Sequence, residues 1–134
     1  MAFISRYALE VRSYELDVYN HVNNAVYVQW LEHGRSALLQ DKGLSYTSII
    51  ERWGVRFMTV RTEIDYRRAL GLGDRAEVLT QVERVGNSSV RLDQRVVPVG
   101  SDSVSAEAKV VIVFTDAATG RPTPVPAEFT RLFA

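Results

Sequence analysis

Five polar residues, Asp17, Asn20, His21, Asn23 and Asn24, fall within eight positions of the stretch DVYNHVNN, immediately ahead of an apolar run. A helix start needs one side-chain acceptor, and Asn23 or Asn24 can supply it, while Asp17 can bond within the preceding turn. Capping does not account for a carboxylate and an imidazole placed together just before such a run. A helix N-terminus presents unpaired backbone N–H groups and the positive end of the helix dipole. Beside a carbonyl, those groups stabilise the oxyanion that forms when a nucleophile attacks. A carboxylate held nearby can itself attack or take a proton from water. The chain has no cysteine, so a thiol nucleophile, Cys-ligated zinc and disulfides are all excluded. No serine sits in a G-x-S-x-G setting. Aspartate-based hydrolysis is the acyl chemistry left, and thioesters suit it because a thiolate leaves more easily than an alkoxide.

The elements that must position this cluster follow from hydrophobic periodicity. Tyr7–Tyr14 alternates as a strand, with Tyr7, Leu9 and Val11 on one face. A long helix is predicted from about Asn24 to Lys42, ended by Gly43, and a shorter one over Tyr46–Trp53 before Gly54. Four strands follow. Arg56–Arg68 places Met58, Val60, Thr62, Ile64 and Tyr66 on one face, and Arg75–Val85, Ser89–Val97 and Val104–Thr115 alternate in the same way. GLGD, GNSS, GSDS and DAATG read as the turns between them. A sheet with one apolar face needs a cover, and only the long helix, about 27 Å at 1.5 Å per residue, is large enough. The expected fold is α+β of the hot-dog type: a five-stranded antiparallel sheet wrapped around one central helix, as a single domain over residues 1–134. Ala25, Val26, Tyr27, Val28, Trp30 and Leu31 leave little polar face in the first turns, which suits an enclosed helix. The mixed-sign charges of the other sheet face are expected to pair across strands, facing either solvent or a second dimer.

With 46% hydrophobic and 24% charged residues the composition is that of an ordinary globular domain. Sixteen Lys and Arg balance sixteen Asp and Glu, and no basic run occurs, so a nucleic-acid partner is disfavoured. The N-terminus lacks the apolar core of a signal peptide, and no stretch reaches membrane-spanning length. A soluble cytoplasmic protein, without membrane attachment, is the expectation.

Asp17-x-x-Asn20-His21-Val22-Asn23-Asn24-x-x-Tyr27, followed by Glu32-x-Gly34-Arg35, resembles the opening of the 4-hydroxybenzoyl-CoA thioesterase-like hot-dog family. Ile64-Asp65-Tyr66, Gly73-Asp74 and Gly86-x-Ser88-Ser89 extend the resemblance over nearly the whole chain. The resemblance implies an acyl-CoA thioesterase acting as a homodimer, often paired into a homotetramer. No cofactor is implied beyond the CoA that the substrate carries. Asp17 matches the catalytic carboxylate, Asn24 the residue whose backbone N–H polarises the thioester carbonyl, and His21 the histidine that orients Asp17, water or substrate. Asn20 stands where the family commonly has glycine, and Tyr19 where the related plant acyl-ACP thioesterases carry an active-site Asn.

The remaining candidates are substrate contacts. Asn23 and Tyr27 flank the helix start, and Tyr27 and Trp30 with Met58, Val60 and Thr62 are expected to form an apolar slot at a subunit interface. Arg67 and Arg68, with Arg84 and Arg91, lie near turns where they could meet CoA phosphates, and Ser88 and Ser89 could touch the pantetheine arm. Glu32 and Arg35, three apart on the helix, are expected to pair with each other or with loop backbone. No metal site is expected, because Asp17, His21 and His33 have no ligand spacing. An acyl-ACP thioesterase, a dehydratase and a non-catalytic acyl-thioester binder are the alternatives.

Overall fold

The computed structural model describes residues 2–134. In chain order the elements are β1 (Ile4–Glu10), a 3-10 turn (Ser13–Glu15), α1 (Asn24–Gln40), α2 (Tyr46–Trp53), β2 (Val55–Tyr66), β3 (Arg75–Val85), β4 (Ser89–Pro98), β5 (Ala106–Asp116) and α3 (Ala127–Phe133). The strands form one antiparallel sheet in the order β1-β3-β4-β5-β2, so β1 and β2 are its edges. This is the hot-dog architecture expected from the alternation. Val78, Val90, Leu92, Val96, Val110, Ile112 and Phe114 point inward from the three central strands and are fully buried. Leu31, Leu38 and Leu39 of α1 complete that core. Among the described residues no helix is long and apolar enough to cross a membrane.

Three departures from the sequence reading have local causes. First, β1 runs Ile4–Glu10 rather than Tyr7–Tyr14, because Ser13–Glu15 turns the chain toward α1. Second, β2 carries a bulge. Thr59 faces Ile112 and Arg61 faces Val111, leaving Val60 as the extra residue. The bulge changes the phase of the strand. Phe57 and Thr59 lie opposite the buried Phe114 and Ile112, and beyond the bulge Thr62, Ile64 and Tyr66 take over the same face. Met58 therefore points to the other side, 55% exposed, and Val60 is 59% exposed. Third, the short α3 was not foreseen in the sequence. Its Phe129 and Phe133 close the core, with Phe129 in edge contact with Phe114 at 5.1 Å.

The first turns of α1 are not enclosed all round. Tyr27, Trp30 and Leu31 are buried, whereas Ala25 is exposed and Val28 is 45% exposed. Charges on the outer sheet face pair across strands as expected: Lys109 reaches Glu83 and Asp93 at 3.1 Å each, and Arg67 reaches Glu107 at 2.9 Å.

At Gly34, α1 packs tightly against the sheet. A Cβ there would lie 2.7 Å from Val78 Cγ1 and 3.0 Å from Gln94 Nε2 and Thr80 Oγ1. Helix propensity alone favours alanine over glycine by about 1 kcal/mol. Overpacking should outweigh it, so Gly34→Ala is expected to destabilise the protein by about 1–3 kcal/mol. A lower urea midpoint at unchanged slope checks this, and an unchanged or higher midpoint refutes it.

Candidate functional site

The Asp17 loop is built by its own backbone. Asp17 Oδ1 accepts from Tyr19 N at 2.8 Å and from His21 N at 3.2 Å. Asp17 N donates to the His21 carbonyl at 2.8 Å, and Asn20 N donates to the Asp17 carbonyl at 3.1 Å. The tight turn places Asn20 at φ 61°, and it is the one non-glycine residue with positive φ among those described. Asparagine tolerates that left-handed conformation, so Asn20 can stand where the family that the sequence resembles commonly has glycine. Three further bonds dock the loop. Val22 N donates to the Leu70 carbonyl and Asn23 N to the Glu15 carbonyl, both at 2.9 Å. The Glu15 carboxylate then takes Trp30 Nε1 of α1 at 3.0 Å.

Asn23 is the N-cap of α1, its side chain accepting from Ala25 N at 2.8 Å. Asn24, the next residue, is the first of the helix, and its backbone N–H has no acceptor among the described residues. Asp17 and Asn24, with His21, line a single cleft of about 240 Å³, whose other wall is Tyr27, Tyr66, Arg67 and Arg68. Both donors to the half-buried Asp17 meet Oδ1, and Oδ2 meets none among the described residues. A carboxylate with one unengaged oxygen and the residue that opens the helix thus line the same cleft.

Aromatic packing holds the far wall in place. The Tyr66 hydroxyl donates to the Asn24 carbonyl at 3.2 Å, and its ring meets Tyr27 edge-on at 5.4 Å. Ser105 donates to the Arg68 carbonyl at 2.6 Å, so its single proton is committed and the Tyr27 hydroxyl must donate to Ser105 Oγ at 3.1 Å. Burial pushes the Tyr27 phenol above its ordinary range, which keeps that proton in place. Tyr66 was not singled out as a site residue from sequence, although it belongs to the Ile64-Asp65-Tyr66 block. Glu15 offered no sequence signal at all.

Other candidates lie elsewhere. Arg67 lines the cleft, yet its guanidinium is engaged by Glu107 through Nε and Nη2 at 3.0 and 2.9 Å. Val60 and Thr62 are on the β2 edge, outside the Asp17 cleft. Ser88 and Ser89 sit at the β3–β4 turn, where Ser88 accepts from Phe114 N at 2.8 Å and Ser89 lines a separate small cleft with Arg84 and Arg91. The expected slot of Met58, Val60 and Thr62 with Trp30 does not form within one chain. Trp30 faces the β1 edge beside Tyr7 and His33, whereas Met58 lines a different cleft with Glu32 and Arg35. Arg35 is not paired with Glu32 either. It is 6% exposed and donates to Gln94 Oε1 at 3.0 Å across the core, a partner that helix spacing cannot suggest.

Comparison with known proteins places this geometry in context. The sequence profile of the Thioesterase-like superfamily matches residues 11–133. The chain is 35% identical to the long-chain acyl-CoA thioesterase FadM of Escherichia coli (strain K12) over 86 residues, 64% of each chain. It is 30% identical over 125 residues to the chloroplastic acyl-acyl carrier protein thioesterase ATL2 of Arabidopsis thaliana, covering 93% of this chain and 65% of that one. In both cases the match spans just under two thirds of the relative's own length. Among solved structures, the probable thioesterase YbaW from Escherichia coli superposes with a TM-score of 0.84 at 28% identity, covering 96% of this chain and 95% of that one.

Proposed function

The chain belongs to the thioesterase-like superfamily, and from that premise we propose that it hydrolyses acyl-CoA thioesters to the free acid and CoA, with Asp17 and the start of α1 as the catalytic groups. The observation that supports this reading is that Asp17 and Asn24 line one cleft, and that the Asn24 backbone N–H has no acceptor among the described residues. The thioester carbonyl oxygen takes its hydrogen bond from Asn24 N–H, aided by the helix dipole, and that bond strengthens as negative charge develops on the oxygen. Asp17 Oδ2 then works in one of two ways. As general base it takes a proton from water while the water oxygen bonds to the carbonyl carbon, and the C–S bond breaks to release thiolate. As nucleophile it forms an acyl-aspartyl anhydride with loss of thiolate, and water hydrolyses the anhydride. His21 orients the water or the thioester.

A second copy of the chain completes the site. β2 is a twelve-residue edge strand with an open backbone side and exposed Met58 and Val60, the kind of edge that pairs with another chain. Antiparallel pairing of two β2 edges about their middle sets the Phe57 end of one copy beside the Tyr66 end of the other. Ser88 lies at the Phe57 end, because it accepts from Phe114, the residue opposite Phe57. This arrangement carries Ser88 and Ser89 of one copy toward the Asp17 cleft of the other, where they meet the pantetheine arm. It also gives Val60 and Thr62 a partner surface to line.

Free-thiol release over a panel of CoA esters tests the activity, with sedimentation to give the oligomeric state. Turnover of at least one ester by a dimer or a dimer of dimers is the expected result. Ester binding without thiol release would make the protein a binder instead. The match to a carrier-protein thioesterase over 93% of the chain favours one second reading, in which the acyl group arrives on an acyl carrier protein. Parallel assays with both acyl carriers separate the two.

A further inference from the structure

We propose that a second cleft, adjoining the Asp17 cleft and built on the turn between β4 and β5, binds a phosphate of the substrate's thiol carrier, with Arg68 and Arg75 as its cations. The proposal rests on the thioesterase reading and adds to it a residue, Arg75, that neither sequence nor family resemblance singled out.

Of the four arginines near turns, Arg68 and Arg84 make no ion pair among the described residues, and of these two Arg68 borders the Asp17 cleft. Arg67 is neutralised by Glu107, and Arg91 lies 3.3 Å from Glu83. Arg68 makes no ion pair among the described residues; its Nη1 donates instead to Ser101 Oγ at 3.2 Å. The ion-pair partner of Arg75 among the described residues is Glu10 at 3.9 Å, with side chains 75% and 60% exposed, a contact worth little in water.

One turn ties both cations together. Val99 N donates to the Arg75 carbonyl at 2.9 Å, and Ser101 meets Arg68. Gly100 between them has φ +77°, and its N–H has no acceptor among the described residues. The cleft enclosed by this turn measures about 410 Å³. Asp74 also lines it, with Oδ2 taken by Gly71 N at 2.8 Å, so two positive charges and one negative leave the cavity cationic.

Arg68 lines both this cleft and the Asp17 cleft. The carrier arm of a thioester seated on Asn24 N–H can therefore leave past Arg68 into a cavity of opposite charge. Guanidinium forks, a hydroxyl and a free backbone N–H are donors suited to phosphate oxygens. CoA and the phosphopantetheine arm of a carrier protein share that phosphate chemistry.

The test compares acyl-CoA, acyl-phosphopantetheine and acyl-pantetheine bearing the same acyl group, for the wild-type chain and for Arg75→Glu, whose site is exposed and compatible with folding. The variant is expected to raise the KM for acyl-CoA about tenfold relative to that for acyl-pantetheine, with kcat little changed, as befits loss of a charge-assisted contact. An equal rise for acyl-phosphopantetheine assigns the cleft to the phosphate beside pantetheine, and a rise for acyl-CoA alone assigns it to the nucleotide phosphates. Equal KM values across the three esters, or the same selective effect from Arg84→Glu in place of Arg75→Glu, overturns the proposal. Should the wild-type chain hydrolyse none of the three, the thioesterase reading fails by itself. Calorimetric titration with CoA then still reads the cleft, through weaker binding by Arg75→Glu or its absence.

Discussion

Asp17→Asn is expected to lower thioester hydrolysis about a thousandfold, within the range that a general base or nucleophile contributes, while the fold stays intact. The structural half of this expectation comes from Oδ1, which accepts Tyr19 N–H and His21 N–H. An asparagine carbonyl accepts the same two bonds, so the loop and its cleft survive. The other oxygen becomes an amide nitrogen, which can neither take a proton from water nor attack an acyl carbon. A thousandfold loss corresponds to about 4 kcal/mol of transition-state stabilisation. Thiol-release kcat measures the loss, and circular dichroism with the urea midpoint checks the fold. A variant within a few-fold of wild type would remove Asp17 from the chemistry. Single-turnover hydrolysis in oxygen-18 water then separates the two roles, since label enters the Asp17 carboxylate only if an anhydride forms there.

The largest stability effect is expected at Gln94, on β4 and outside the Asp17 cleft. Gln94 is fully buried and joins helix to sheet through three bonds. Its Oε1 accepts from Arg35 at 3.0 Å, and its Nε2 donates to the Leu31 carbonyl at 2.9 Å and to Thr80 Oγ1 at 2.8 Å. Burial already disfavours the charged Arg35 guanidinium, lowering its pKa. Gln94→Leu keeps most of the volume but leaves that cation with no acceptor in the core, so a loss of about 3–5 kcal/mol is expected. That is a large part of the 5–15 kcal/mol typical of a domain. The double variant Arg35→Met/Gln94→Leu removes both the cation and its acceptor and should regain most of the stability. Urea midpoints for the four proteins of the cycle decide it. If the double variant is as unstable as Gln94→Leu alone, the bonds to Leu31 and Thr80 matter more than the buried charge.

Much of the architecture was legible because the relevant periodicities are local. Alternation located β3, β4 and β5 to within two residues, the asparagine cap located the start of α1, and Gly54 located the end of α2. The bulge at Val60 was not legible, since a period-two pattern carries no mark of an inserted residue when both faces hold apolar side chains. Phe57 and Met58 exchanged faces as a result. The seven residues of α3 are too few to show a helical period.

The sequence by itself determined the catalytic candidates. Asp17, His21 and Asn24 lie within eight positions, so bonds local to one short loop are enough to hold them on one cleft. Tertiary structure alone decided what surrounds them. Tyr66 reaches Asn24 from 42 residues away, and Arg35 leaves Glu32 for Gln94, 59 residues on. Of the four arginines near turns, cross-strand partners neutralise Arg67 and Arg91, Arg84 stands at the far turn, and Arg68 is left beside the site with Arg75. The reason is physical: chain neighbours set which groups can cap or turn, but charge neutralisation and burial depend on partners that only strand register brings within bonding distance.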